Sequence, residues 1–365
     1  MSETLRESTV DAGFGRRMQK LNAVLRAASR WVNWHYIGIA LSIVIITIAG
    51  VTLFRILRGV DFLKIVDAIR DTPTANIATA AAFVAAAYVS MTFYDLFALR
   101  TIGRPNVPYR VAAMAAFCSY SIGHNIGATV FTGGAIRFRI YSAWKLSVVD
   151  VAKMAFITGL TFWLGNLTVL GLGMSYEPEA ATLINHVPAS FNRLIALAML
   201  VVIAGYVVWI GTRPRVIGRQ NWRVVLPGAR LTLVQIGIGI LDLTLSGFAM
   251  FMLTPAIAGT DFVSVLVPFV LSTLLAFASH APGGLGVLDA SMLVGLPQFA
   301  PEQLLAALLL FRLLYYIVPF ILAVSLMGTR EIFMSLTARA ALCKKACAET
   351  SEPPCKDGAS TQSPE

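Results

Sequence analysis

Eight stretches of this chain are long and apolar enough to be helices buried in a bilayer: 36–57, 77–99, 110–131, 151–173, 190–211, 229–253, 262–280 and 303–328. Crossing the hydrocarbon core takes about 20 mostly apolar residues in a helix. Of the 365 residues 57% are hydrophobic and 13% charged, where a soluble domain carries about 25% charge. There is too little polar surface for a soluble enzyme and too much apolar sequence for a disordered or fibrous chain. The expectation is an all-α polytopic integral membrane protein. Residues 1–35 are polar and basic and lack the short apolar core of a cleavable signal peptide. Trp31, Trp34 and Tyr36 mark an aromatic belt where the first span begins. The Pro- and Ser-rich tail, 331–365, has the composition of a disordered segment.

The net charge is +10. A surplus of that size suits a nucleic-acid binder as well as a membrane protein, and its placement decides. Lys and Arg collect in short loops on the cytoplasmic side. Arg100, Arg104 and Arg110 lie together without an acid, as do Arg213, Arg215, Arg219, Arg223 and Arg230. Segments 174–188 and 254–261 hold Glu177, Glu179 and Asp261 and no Lys or Arg. Eight simple crossings, starting with the N-terminus inside, would put the five-arginine loop outside. The charges fit if 110–150 enters from the cytoplasm and returns, and 262–302 does the same from the outer face. The reading is six full spans plus two opposed re-entrant hairpins, with both termini cytoplasmic and no role for nucleic acid.

An internal repeat points the same way. Phe131–Leu146, FTGGAIRFRIYSAWKL, and Ala281–Leu296, APGGLGVLDASMLVGL, align their Gly-Gly pairs, and Phe162-Trp163 aligns with Tyr315-Tyr316 after a short insertion. The unit span–hairpin–span covers 77–173 and again 229–328. Three spans separate the hairpins, an odd number, so the repeats are inverted, as in many transporters. Irregular backbone inside a bilayer must be buried in protein or line a wet cavity. Gly133-Gly134 and Gly283-Gly284 are the expected turns, with His124, Asn125 and His280 beside them. Helix ends at such turns present free N–H groups to an anion. Close helix packing is the plainer reason for the glycines.

At these residues the chain resembles the transmembrane region of the lysylphosphatidylglycerol synthetase family. The resemblance rests on IGHNIGATVFTGGAIRFRIYSAWKLS (Ile122–Ser147) and SHAPGGLGVLD (Ser279–Asp289), and extends over roughly 36–330. It implies a flippase domain moving aminoacylated phosphatidylglycerol, or a related anionic or hopanoid lipid, across a bacterial inner membrane, with resistance to cationic peptides as the consequence. The family's full-length members carry a soluble aminoacyl-transferase domain. The present sequence lacks one, so it is expected to act as a stand-alone transporter, with a separate synthase as partner, and homo-oligomers are compatible. The second motif often ends in Glu, where this chain has Asp289.

Ionisable groups inside a membrane are costly and mark function or a structural pair. Asp95, Asp242, Asp289 and Arg312 are the candidates, with Arg312 expected to pair with Asp289 or Asp242. Arg137, and after it Arg139, are candidate lipid-phosphate contacts, because a guanidinium grips a phosphate with two hydrogen bonds. Their alternative is simple anchoring to anionic headgroups. His124 and His280 could carry protons, and form no metal set with Cys or carboxylates. Cys343, Cys347 and Cys355 are a weak zinc signal. No cofactor is expected, and no Lys follows a Gly, which excludes a P-loop. Two further readings are a membrane scaffold for a lipid-modifying enzyme and a membrane lipid phosphatase. The latter rests on Ser121–His124 after Arg104-Pro105, but Phe97 and Ser190 stand where that class needs a Lys and an acid.

Overall fold

The computed structural model describes residues 61–126, 129–213, 215–219 and 222–330, with Val51, Phe54 and Ile332 besides. Apart from these three residues, the first expected span, the basic N-terminal segment and the tail with its cysteines lie outside the described residues. The fold is that of an all-α polytopic membrane protein. Six described helices are long and apolar enough to cross a bilayer.

In chain order the elements are α1 (Phe62–Asp71), α2 (Thr74–Thr101), α3 (Tyr109–Ile126), α4 (Thr129–Tyr141), α5 (Val148–Tyr176), α6 (Glu179–Asn185) and α7 (Ala189–Thr212). A two-stranded antiparallel hairpin follows, β1 (Val216–Arg219) with β2 (Trp222–Val225). Then come α8 (Ala229–Leu253), α9 (Phe262–Ser279), α10 (Val287–Gly295) and α11 (Pro301–Arg330). The order long helix, helical hairpin, long helix thus occurs twice, as α2 to α5 and α8 to α11. The β-hairpin lies in the five-arginine loop, where charge alone gives no sign of strands. Trp222 packs edge-on against Phe156 of α5, with centroids 5.6 Å apart, and Val224 joins the core.

Contacts divide the chain into two compact units. One holds 74–168, 201–253 and the chain from 309. Here α2 and α8, the first helices of the two repeats, pack antiparallel, with Phe83 stacked on Phe248 at 5.3 Å and Ser90 and Tyr94 facing Asp242. Where α5 crosses α8, a Cβ on Gly165 would lie 2.5 Å from the Gly239 Cα. Only glycine lets the two backbones meet so closely. Gln235 ties the same crossing, donating to Thr161 Oγ1 at 2.7 Å and to the Ile157 carbonyl at 3.2 Å. Helices α3 and α4 form an antiparallel pair, and Ser119 Oγ donates to the Gly133 carbonyl at 3.1 Å. The mouth of this hairpin is clasped by Arg104 and Asp150, 2.9 Å apart. With 13 residues, α4 is about 20 Å long, too short for a core of about 30 Å. The chain therefore comes back to the end where α2 finished.

The expected Gly133-Gly134 turn is not where this hairpin reverses. Both glycines lie inside α4. Helix α3 ends at Ile126 and its antiparallel partner α4 begins at Thr129, ahead of both glycines.

The other described unit holds 61–73, 169–200 and 254–308. Its hairpin reverses at the glycines the sequence points to: Gly283, Gly284 and Gly286 have φ of 60°, 61° and 78°. Positive φ is open to Gly at little cost. His280 caps α9 in the same left-handed region, with φ 54°. Gly284 lies against Ala276 and Gly295 against Pro268, so α10 runs back along α9. At 18 residues α9 could cross by length alone. Its nine-residue return, α10, could not. Asn192 knits α6 to α7, donating to the carbonyls of Val187 at 3.1 Å and Pro178 at 3.3 Å.

Candidate functional site

The hairpin α3–α4 brings a guanidinium and a carboxylate together inside the protein. Gly133, Arg137 and Tyr141 recur every four residues and so share one face of α4. That face meets Asp95 of α2. Arg137 donates to Asp95 through Nη2 to Oδ1 at 2.8 Å and through Nε to both oxygens at 3.0–3.1 Å. Tyr141 donates its hydroxyl to Oδ2 at 2.8 Å. Asp95 is 0% exposed and Arg137 4%. A buried charge is tolerated only when paired and hydrogen-bonded, and here every partner is supplied by two helices. The Tyr120 ring of α3 covers the guanidinium, 4.8 Å from its carbon, an attractive cation–π arrangement.

Aromatic rings continue from that point. Tyr120 lies 5.8 Å from the His124 ring, which stacks on Tyr315 of α11 at 6.1 Å. At Leu313–Ile317, α11 opens into a π-helical turn. Such a turn weakens the ordinary i to i−4 ladder and is often found at functional places. Side chains of neighbouring helices supply the missing partners. Tyr88 donates to the Tyr315 carbonyl at 2.9 Å and Asn125 to the Tyr316 carbonyl at 3.0 Å. Among the described residues, Nδ1 of His124 is buried without a hydrogen-bond partner.

Asp242, midway along α8, is 5% exposed. Tyr94 donates to its Oδ2 at 3.1 Å, and Ser90 Oγ lies 3.5 Å from Oδ1. Asp242, one of the two carboxylates at which Arg312 was expected, thus has hydroxyls from α2 as its partners. Arg137, the candidate phosphate contact, is held by a carboxylate of its own chain. Arg139 sits two residues on and is exposed. A Cβ on Gly134 would meet nothing.

In the other unit, Asp289 accepts from the Gly286 N–H at 3.1 Å and caps α10. His280 Nδ1 lies 3.0 Å from the Ala278 carbonyl. Among the described residues no set of three His, Cys, Asp or Glu could hold a metal.

Asp95 is the partner the pairing argument overlooked, and Tyr94 beside Asp242 and Tyr120 over Arg137 had no motif to announce them. The available signal was Asp95 itself, a lone acid within an apolar run ahead of a hairpin rich in arginine.

These features define a multi-pass helical membrane protein with a buried charged centre beside a helical hairpin. No family model matches the chain. It is 29% identical over 245 residues to an uncharacterized protein of Synechocystis sp., covering 67% of this chain and 76% of that one. It is 25% identical over 313 residues to the inner membrane protein YbhN of Escherichia coli, covering 84% of this chain and 93% of YbhN. A phosphatidylglycerol lysyltransferase of Staphylococcus aureus is 22% identical over 282 residues. That match covers 76% of this chain but 32% of the lysyltransferase.

Proposed function

We propose that the protein moves an anionic phospholipid between the leaflets of a bacterial inner membrane, aminoacylated phosphatidylglycerol and hopanoid-linked lipids being the related cargoes to test. The observation that carries this reading is the Asp95–Arg137 pair, buried where a hairpin stops partway along spanning helices. Ionisable groups in that position are costly, and in membrane proteins they commonly mark an ion or headgroup pathway. Likeness to part of a lysyltransferase that acts on phosphatidylglycerol supports a lipid as the cargo. The protein carries out no covalent chemistry in this reading. Arg139 meets the phosphate first. The Asp95 carboxylate then yields the Arg137 fork to the phosphate in the state that translocates, since both oxyanions fit the same bidentate geometry. The loops with Arg100 and Arg213–Arg230 face the cytoplasm, and the two hairpins belong to inverted repeats.

The test is transbilayer movement of fluorescent phosphatidylglycerol, lysyl-phosphatidylglycerol and phosphatidylcholine in reconstituted vesicles. Movement of an anionic or aminoacylated lipid faster than in empty vesicles, and loss of it in Arg137→Gln, is the expected result. No acceleration for any of the three lipids, with folded protein recovered from the vesicles, overturns transport and leaves a scaffold.

A further inference from the structure

A cavity of about 950 Å³ opens at the end of α2, away from the buried pair. Its walls are apolar, with Phe93 and Phe97 from α2 and Val234 and Ile238 from α8. Arg100, Arg213 and Arg230 also line it, and no carboxylate does. A second cavity, of about 470 Å³, shares Phe93, Leu96 and Arg100 and extends the surface toward Tyr109. Helix α8 begins at Ala229, which lines the larger cavity, so the positive end of a 25-residue helix adds to the three guanidinium groups. An apolar cavity lined by three cations and no carboxylate suits a lipid with an anionic head. A soluble anion would leave the cavity unfilled, and a neutral apolar ligand would leave the cations unmatched.

We infer that this groove is a binding site for an anionic phospholipid, with its phosphate on Arg100, Arg213 and Arg230 and an acyl chain against Phe93, Phe97 and Val234. The site stands apart from the Asp95–Arg137 centre and does not depend on transport. Each arginine near a membrane surface contributes about fivefold to the binding of an anionic lipid, so the three together give about a hundredfold.

The experiment is lipid retention by the purified full chain in detergent, read by native mass spectrometry with phosphatidylglycerol and phosphatidylcholine in competition. A photoreactive acyl chain on the phosphatidylglycerol maps the contact. The expected results are preferential retention of phosphatidylglycerol, crosslinks at the α2 and α8 walls, and loss of the preference in the triple variant Arg100→Gln, Arg213→Gln, Arg230→Gln. Arg223→Gln removes a charge from the same loop without touching the groove, and should keep the preference. The triple Lys variant preserves charge and insertion, and should keep most of it. Equal retention of both lipids, crosslinks elsewhere, or equal loss in Arg223→Gln overturns the site. Because retention is read without any transport, a protein that binds phosphatidylglycerol here yet moves none supports the groove while refuting the flippase.

Discussion

In the hairpin α9–α10 the chain reverses at Gly283, Gly284 and Gly286, all with positive φ. In the hairpin α3–α4 the aligned pair Gly133-Gly134 lies inside α4, with helical backbone, and the reversal falls earlier. The same two letters thus answer different demands. In the later hairpin glycine supplies a backbone conformation. In the earlier one it opens a helix face: Gly133 is the smallest step of the stripe that continues through Arg137 and Tyr141, and its carbonyl takes the Ser119 hydroxyl. What the earlier hairpin invests in buried charge, the later one has in turn geometry, with Asp289 serving as a cap.

The largest effect that would test this contrast is expected at the ion pair. Asp95→Ala or Arg137→Ala strands a buried charge and should cost about 3–5 kcal/mol, read as thermal stability of the detergent-solubilised protein. The double variant Asp95→Leu, Arg137→Leu should recover much of that loss. Asp289→Ala, which removes a cap, should cost about 1 kcal/mol. If Asp289→Ala were the more damaging, the division of labour between the hairpins would be wrong.

Glycine replacement gives opposite signs in the two hairpins. Gly284→Ala puts a side chain at φ 61° and a Cβ 2.9 Å from that of Ala276, and should cost about 1–3 kcal/mol. At Gly133 the new Cβ would have its nearest neighbours at 3.4 Å. Alanine there should be neutral or stabilise α4 by up to about 1 kcal/mol through helix propensity. Equal losses at both positions would show that Gly133 has a backbone role after all.

How much of this the sequence makes legible follows from the kind of force at work. The spans are legible because bilayer thickness demands unbroken apolar length, and five of the six full spans read from it fall on long described helices. The Gly283-Gly284 turn is legible because Pro282 stops a helix and three glycines follow within five residues. The Gly133-Gly134 turn misleads because nothing local distinguishes a glycine needed for φ from one that a helix simply accommodates. The Asp95–Arg137 pair joins residues 42 apart, and periodicity along one helix carries no information about which face of another it will meet. The π-helical turn is equally hidden, since Tyr88 and Asn125, which supply its partners, come from distant helices.

Smaller changes sharpen the comparison. Removing the amide of Asn125 with Asn125→Ala leaves the Tyr316 carbonyl without its donor and should cost about 1 kcal/mol. The smallest effect is a pH dependence seated in the unit of the later hairpin. Glu177, just past α5, has its carboxyl pushed above the usual range by burial, by Asp261 at the start of α9, and by Glu179. A carboxyl raised in the folded state holds its proton more tightly there than in the unfolded chain. Its contribution is therefore full at pH below the ordinary carboxylate range and is lost as pH rises through the raised value. Glu177→Gln should flatten that part of the stability profile, and a profile unchanged by the substitution would remove Glu177 as its source.

The topology proposed above, central to the account, has α3–α4 return to the cytoplasmic face and α9–α10 to the outer face. Cysteines placed singly at Asn106 and Ala143, which flank α3–α4, and at Ala258 and Gln298, which flank α9–α10, test it in a chain freed of its four native cysteines. A membrane-impermeant thiol reagent applied to cells and to inverted vesicles should label 106 and 143 from the cytoplasmic face only, and 258 and 298 from the outer face only. Labelling of 106 and 143 from opposite faces would mean that α3–α4 crosses the membrane, and would contradict the account.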